Sequence, residues 1–145
     1  MTEKIEIYKH IYQDSEMAIN SIKELKKDLE DKDNKIKGLL DEIIKKFIKY
    51  ENESKKVLKK CDSVPEEEGL LAKMMANMGI KKEVMSDNSD SHMAEVMIQG
   101  ISMGSINMEK KLDNYKEKLD SSDYKYARKF LIFEKESIEK LKEYL

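Results

Sequence analysis

The feature that most constrains this chain is a helix-period spacing of apolar residues that continues through almost its whole length. In the first segment, inward positions follow one another at alternating steps of three and four: Tyr8, Ile11, Ser15, Ala18, Ile22, Leu25 and Leu29. This spacing places a single buried stripe on one side of an α-helix. One proline and five glycines in 145 residues leave few positions that would interrupt a helix. The chain is therefore predicted to be all-α and to form one domain over residues 1–145.

Polar runs divide this pattern into four long helices, A to D. We expect helix A over Thr2–Leu29, helix B ending at Lys60, helix C over Ser91–Leu119, and helix D after the turn Asp120–Asp123. The connections after helices A and C are short, which favours antiparallel neighbours. The sequence thus predicts an up-and-down four-helix bundle of two antiparallel hairpins.

The longer connection between helices B and C contains the signals of an additional short helix. Ser63 and Glu66 form a capping box, Pro65 occupies the first turn, and Gly79 follows the predicted end at Met78. Its apolar face consists of Leu70, Leu71, Met74, Met75 and Met78. This face must cover either its own bundle or a neighbour, and we interpret it as a partner-binding surface, with a homodimer or another protein as the partner.

Helices B and D carry an internal repeat with an offset of 83 residues. Seven of the eighteen positions in 43–60 are identical to their partners in 126–143. The strongest match is Glu-x-Glu-Ser, which begins at Glu51 and again at Glu134. Helices A and C match weakly, at an offset of either 86 or 87. These matches indicate a duplicated helical hairpin.

The repeat places one carboxylate and one hydroxyl on the inward side of each of two helices. On a helical wheel of about 100° per residue, Glu51 and Ser54 fall within the apolar stripe of helix B, and Glu134 and Ser137 within that of helix D. With Ser15 of helix A they form a predicted buried polar cluster. A buried carboxylate must be protonated, hydrogen-bonded, bound to a metal or reached by water. Two close carboxylates would raise each other's pKa and share a proton.

Two helical hairpins with an inward Glu-x-x-polar step on helices B and D resemble the ferritin-like superfamily. Its di-iron members carry Glu-x-x-His on these helices and one further glutamate on each of the others. Glu51 and Glu134 match the motif glutamates, but Ser54 and Ser137 stand where histidines would be. The resemblance implies a ferritin-like bundle of an uncharacterised bacterial group that lacks part of the di-iron ligand set.

The remaining di-iron ligands are also missing from the predicted inward faces. Ser15 takes the central position on helix A, while Glu16 flanks the stripe, and the two histidines, His10 and His92, lie off the stripes. We therefore interpret the cluster as structural, with no catalytic residue and no cofactor. The alternative is a site for iron or manganese that uses Glu51 and Glu134.

Composition excludes several other classes of function. The net charge is -2 and Arg128 is the only arginine, which disfavours binding to nucleic acids. No apolar run approaches the length of a membrane span, and Cys61 alone can form neither an internal disulfide nor a zinc site. The methionines between Met74 and Met108 indicate core packing, with a partner groove or a Cu(I) site as alternatives. We expect a cytoplasmic protein that acts by protein–protein association, with metal binding or redox chemistry as the alternative.

Overall fold

The computed structural model describes residues 2–63 and 87–145, which form four long α-helices. Their bounds are α1 Thr2–Asp28, α2 Lys37–Lys60, α3 Asp90–Tyr115 and α4 Ser121–Lys142. They correspond to the predicted helices A to D, although α1 ends one residue and α3 four residues earlier than expected. The all-α four-helix bundle is confirmed. The predicted short helix and its partner-binding residues Leu70, Leu71, Met74, Met75 and Met78 lie outside the described residues.

The four helices run up, down, down and up. Each hairpin is antiparallel as predicted, but α2 and α3 run in the same direction, which departs from a strict up-and-down order. Helices α1 and α2 pack against each other as one hairpin, and α3 and α4 as the other. Helices α2 and α3 begin at the same end of the bundle, because the backbone N–H groups of Lys35 and Ile36 both donate to the carboxylate of Asp90. Asn34 also donates its side-chain amide to the carbonyl of Asn88 at 2.8 Å. The described chain therefore leaves α2 at one end and enters α3 at the other.

Local signals fix two of the helix ends. Ser89 adopts an extended conformation before α3, and its hydroxyl accepts a hydrogen bond from the backbone N–H of His92. This is the usual role of a serine at the N-cap position of a helix. At the end of α2, Asp62 has a φ of 55°, and the N–H of Ser63 reaches back to the carbonyl of Leu58 at 2.9 Å. This geometry closes the helix with a Schellman motif.

The aromatic residues of the 83-residue repeat meet at the interface between α2 and α4. Phe47 lies 4.7 Å from Phe133 between ring centroids, and Tyr50 lies 5.0 Å from Phe130. Phe47 and Phe130 occupy equivalent positions in the repeat, as do Tyr50 and Phe133, so each contact is the counterpart of the other. Such reciprocal contacts are the signature of a two-fold relation. The tertiary structure thus supports the duplication of a hairpin.

One hydrophobic core runs through all four helices. Phe47 and Phe130 are almost fully buried at its centre, and Ile11, Leu40 and Met108 are completely buried around them. Met97 and Met108 also belong to this core, as the sequence pattern predicted. Within the described residues, none of the helices has the length and apolarity that a membrane span requires.

Candidate functional site

The most unusual group of buried polar side chains lies between α1, α3 and α4. Glu134 of α4 is only 1% exposed, and Asp14 of α1 is 8% exposed. Both carboxyl groups point to Gly104 of α3, where a methyl group would overlap Asp14 and come within 3.1 Å of Glu134 Oε2. The absence of a side chain at position 104 therefore makes the room in which the two carboxyl groups meet.

His10 completes this group, which we call the carboxyl cluster: His10, Asp14, Gly104 and Glu134. His10 Nε2 lies 2.9 Å from Asp14 Oδ2 and 3.1 Å from the carbonyl oxygen of Gly104. Because a carbonyl oxygen can only accept a hydrogen bond, Nε2 must carry a proton and donate it. The histidine thereby links α1 to the backbone of α3 and holds the Asp14 carboxylate in place.

The environment favours a retained proton on Glu134. Burial raises the pKa of Glu134 well above its ordinary value of 4.5, and the negative charge of Asp14 and a hydrogen bond with Asp14 raise it further. A protonated Glu134 can donate to Asp14, which removes one buried charge and satisfies one acceptor. The cluster can therefore hold one proton between two carboxyl groups.

A small cavity of about 20 Å³ borders the cluster. Asp14 and Glu134 line it together with apolar residues of α1, α2 and α3, including Met17, Phe47 and Met97. This volume accommodates about one water molecule. Glu134 Oε1 has no hydrogen-bond partner in the described part of the chain. The cavity thus has room for a water beside this oxygen and for no organic substrate.

The two glutamates of the repeat occupy different surroundings, contrary to the expectation that they act on each other. Burial raises the pKa of Glu51, and the positive charges of Lys55 and Lys23 oppose that rise. Glu51 is also only half-buried. The pKa of Glu134 responds to Asp14 instead. The structure therefore brings Glu134 together with Asp14 and does not bring it together with Glu51.

The three serines predicted for the polar cluster are buried, but two of them bond within their own helices. Ser54 donates its hydroxyl to the carbonyl of Tyr50 at 2.7 Å, and Ser137 donates to that of Phe133 at 2.9 Å. Ser15 is 0% exposed, and its hydroxyl finds no partner in the described chain. The equivalent bonds of Ser54 and Ser137 are a further trace of the repeat. Ser54 also lies 3.1 Å from the backbone carbonyl of Glu51, and within the described residues neither hydroxyl bonds to a glutamate carboxyl group.

The donor set of the carboxyl cluster does not fit a metal centre. Within the described residues, no group of three or more His, Cys, Asp or Glu side chains could hold a metal ion. The Nε2 atom of His10 carries a proton, so it cannot donate a lone pair to a metal. Burial and the neighbouring Asp14 carboxylate favour the protonated form of Glu134, which is a poor metal ligand. These residues suit a shared proton better than iron or manganese.

Sequence reasoning missed His10 and Asp14 because it assumed a narrow inward stripe. Helix α1 packs against both α2 and α3, so it buries a much wider face than one stripe. The two residues are four positions apart and therefore lie on the same side of the helix. This i, i+4 pair of a histidine and a carboxylate was the signal available in the sequence.

A second polar group that the sequence did not reveal ties α1 to the start of α4. Tyr8 donates its hydroxyl to Asp123 Oδ1 at 2.8 Å, and Lys4 lies 3.7 Å from the other carboxylate oxygen. Asp123 is buried, and burial together with this carboxylate raises the pKa of Tyr8. The ring of Tyr8 stacks on that of Tyr126. This group fixes one end of the bundle.

On the outer side of the aromatic contacts, α2 and α4 form a surface groove of about 240 Å³, the α2–α4 groove. It is lined by Lys46, Lys49, Tyr50, Lys129, Ile132, Phe133 and Glu136. Ile132 is 47% exposed in it, although it is a large apolar residue. Lys46 lies over the ring of Phe133, with its Nζ 5.7 Å from the centroid. The groove combines an apolar, aromatic floor with a basic rim.

No family model, no curated protein and no solved structure matches this chain. The helical bundle therefore stands on the structure of the chain itself, and the ferritin-like resemblance stays a prediction.

Proposed function

We propose that this protein works by protein–protein association and that the α2–α4 groove is its contact surface. The observation that carries the proposal is an exposed apolar side chain, Ile132, set beside two aromatic rings and surrounded by lysines. Exposed apolar surface rimmed by polar residues is typical of protein interaction sites. Aromatic residues also contribute a large share of binding energy at such sites.

The carboxyl cluster has a structural part in this proposal. Its cavity admits about one water, and its histidine is engaged with Asp14 and with the backbone of α3. Buried polar groups of this kind fix how helices are paired and aligned in some bundles. A non-catalytic role as the element that sets the register of α1, α3 and α4 is consistent with this arrangement. Metal binding by Glu51 and Glu134 gains no support from their separate surroundings.

Site-specific photo-crosslinking in the cells that naturally make the protein tests the proposal. A photo-reactive residue at position 132 should yield light-dependent adducts with a second polypeptide, because it lies in the groove. The matched control is position 106, since Ile106 is also a large apolar residue, 52% exposed, but lies on α3. Adducts at position 106 alone, or at neither position, would contradict the proposal.

A further inference from the structure

We infer that the α2–α4 groove takes an acidic amphipathic helix of a partner protein. This inference rests on the function proposed above and specifies the chemistry of the partner. Three properties of the groove carry it: its charge, the spacing of its apolar residues and its length.

The charge of the groove is opposite to that of the chain as a whole. Lys46, Lys49 and Lys129 line it against one glutamate, whereas the net charge of the chain is -2. These lysines form no ion pair within the described chain, while Lys135 and Lys140 just beyond are paired with Glu109 and Glu42. Lys46 and Lys129 occupy equivalent positions of the repeat, one on each wall. A partner with carboxylates along both edges would therefore meet unpaired cations on both sides.

The apolar floor has the geometry that a helix can use. Tyr50 of α2 and Phe133 of α4 stack at 5.4 Å beneath the groove, and Ile132 rises beside them. The lining residues recur at steps of three and four on both walls, which forms ridges separated by a trough. A helix with apolar side chains at positions i, i+3 or i+4, and i+7 would place them along this trough.

The groove is also long enough for a helix of several turns. A shallower depression of about 440 Å³ shares Ile132 and Glu136 with it and continues along α4 to Lys140. From Lys129 to Lys140 an α-helix rises about 16 Å, which is roughly three turns. A bound helix would thus pack as an additional member of the bundle.

A protein partner agrees with these residues better than a nucleic acid does. The groove and its extension contain no arginine but include Glu136 and Glu139, which would repel phosphates. Arginine is the side chain best suited to phosphate contacts, and its absence here disfavours a nucleic acid. Carboxylates of a helix can be distributed to face the lysines and avoid the two glutamates.

Fluorescence anisotropy with defined peptides tests the inference. The probe is a labelled synthetic helix of about fifteen residues, with leucines on one face and glutamates on the flanks. Its comparators replace either the glutamates by lysines or the leucines by serines. The full-length protein should bind the acidic leucine peptide at least roughly tenfold more tightly than either comparator, and added salt should weaken that binding.

Matched variants localise the binding. The triple variant Lys46→Glu, Lys49→Glu and Lys129→Glu should weaken peptide binding at least about tenfold. The control is a second triple variant, Lys110→Glu, Lys116→Glu and Lys118→Glu, which makes the same charge change on and just after α3. It should alter peptide binding less than about twofold. Ile132→Ser should weaken binding, and Ile106→Ser should not. Circular dichroism verifies that each variant keeps its helical content.

Several outcomes would overturn the inference, and they differ from a failure of the proposed function. Equal binding of the three peptides, or equal effects of the two triple variants, would exclude an acidic helix in the groove. Adducts at position 132 together with such a result would retain association but assign a different partner class. Adducts between two copies of this chain, with a dimer in light scattering, would assign the groove to self-association. Peptide binding that becomes about tenfold tighter in the variant Glu66→Gln, Glu67→Gln and Glu68→Gln would show that this chain's own acidic segment competes for the groove.

Discussion

Asp14 of α1 and Glu134 of α4 bring their carboxyl groups together in the space that Gly104 of α3 leaves without a side chain. Both residues are buried, and among the described residues the basic group paired with Asp14 is His10. Two adjacent carboxylates without full charge compensation would be costly in the interior. The proton retained on Glu134 resolves this conflict, and it makes the stability of the bundle depend on pH.

Glu134→Gln should stabilise the protein at neutral pH. The folded state keeps a proton on Glu134 that the unfolded state releases above its ordinary pKa of 4.5. Between the ordinary pKa of the unfolded state and the raised pKa of the folded state, the folded state binds more protons. The free energy of unfolding therefore decreases as pH rises, by about 1.4 kcal/mol per pH unit. The glutamine has no proton to lose, and urea denaturation from pH 4 to pH 8 should show a flatter profile. Glu51→Gln, at the equivalent and half-buried position, should change the profile less; identical profiles for Glu134→Gln and the unmodified protein would contradict this account.

Asp14→Asn should lower the pKa of Glu134. The substitution removes the negative charge that opposes ionisation of Glu134, and the amide can donate to the ionised form. Burial remains, so the pKa should stay above its ordinary value of 4.5. Carbon-detected NMR titration of the glutamate carboxyl groups measures the change. Asp123→Asn alters the other buried aspartate, beside Tyr8, and should leave the titration of Glu134 unchanged. An equal pKa of Glu134 in Asp14→Asn and in the unmodified protein would show that the two groups are not coupled.

Gly104→Ala should destabilise the protein even though alanine favours helices. The added methyl group would overlap Asp14 and crowd Glu134, which are held in a close-packed interior. Overpacking of this kind costs roughly 1–3 kcal/mol and outweighs the helix preference of alanine, about 1 kcal/mol. Gly38→Ala is the matched control, because nothing lies within 4 Å of the added atom in α2. It should stabilise by about 0.5–1 kcal/mol. Equal shifts of the urea midpoint in both variants would show that the cluster does not need the space at position 104.

Ser15→Ala should stabilise the protein by about 1 kcal/mol. Its hydroxyl is fully buried and has no partner in the described chain, and an unsatisfied polar group costs roughly 1–3 kcal/mol. Ser54→Ala is the control, since that hydroxyl donates to the carbonyl of Tyr50 in its own helix. Its replacement should change the free energy of unfolding by less than about 0.5 kcal/mol. Thermal and urea unfolding of both variants give the comparison. A loss of stability in Ser15→Ala would reveal a partner for this hydroxyl.

The sequence by itself determined the parts of this protein that depend on local spacing. The steps of three and four between apolar residues predicted the four helices, and the short loops predicted the two hairpins. The wheel of helix D also placed Glu134 and Ser137 inside, where the structure has them. These features follow from the geometry of one helix and need no knowledge of its neighbours.

Only the tertiary structure decided which polar groups meet. A helical wheel gives the direction of a side chain but not the number of helices that pack around it. Because α1 contacts α2, α3 and α4, its buried face widens to include His10 and Asp14, which a single stripe excludes. The partner of Glu134 is consequently Asp14 and not Glu51, and the α2–α4 groove arises from two helices far apart in sequence. Long-range packing, which no local pattern encodes, therefore determined both the carboxyl cluster and the surface proposed for association.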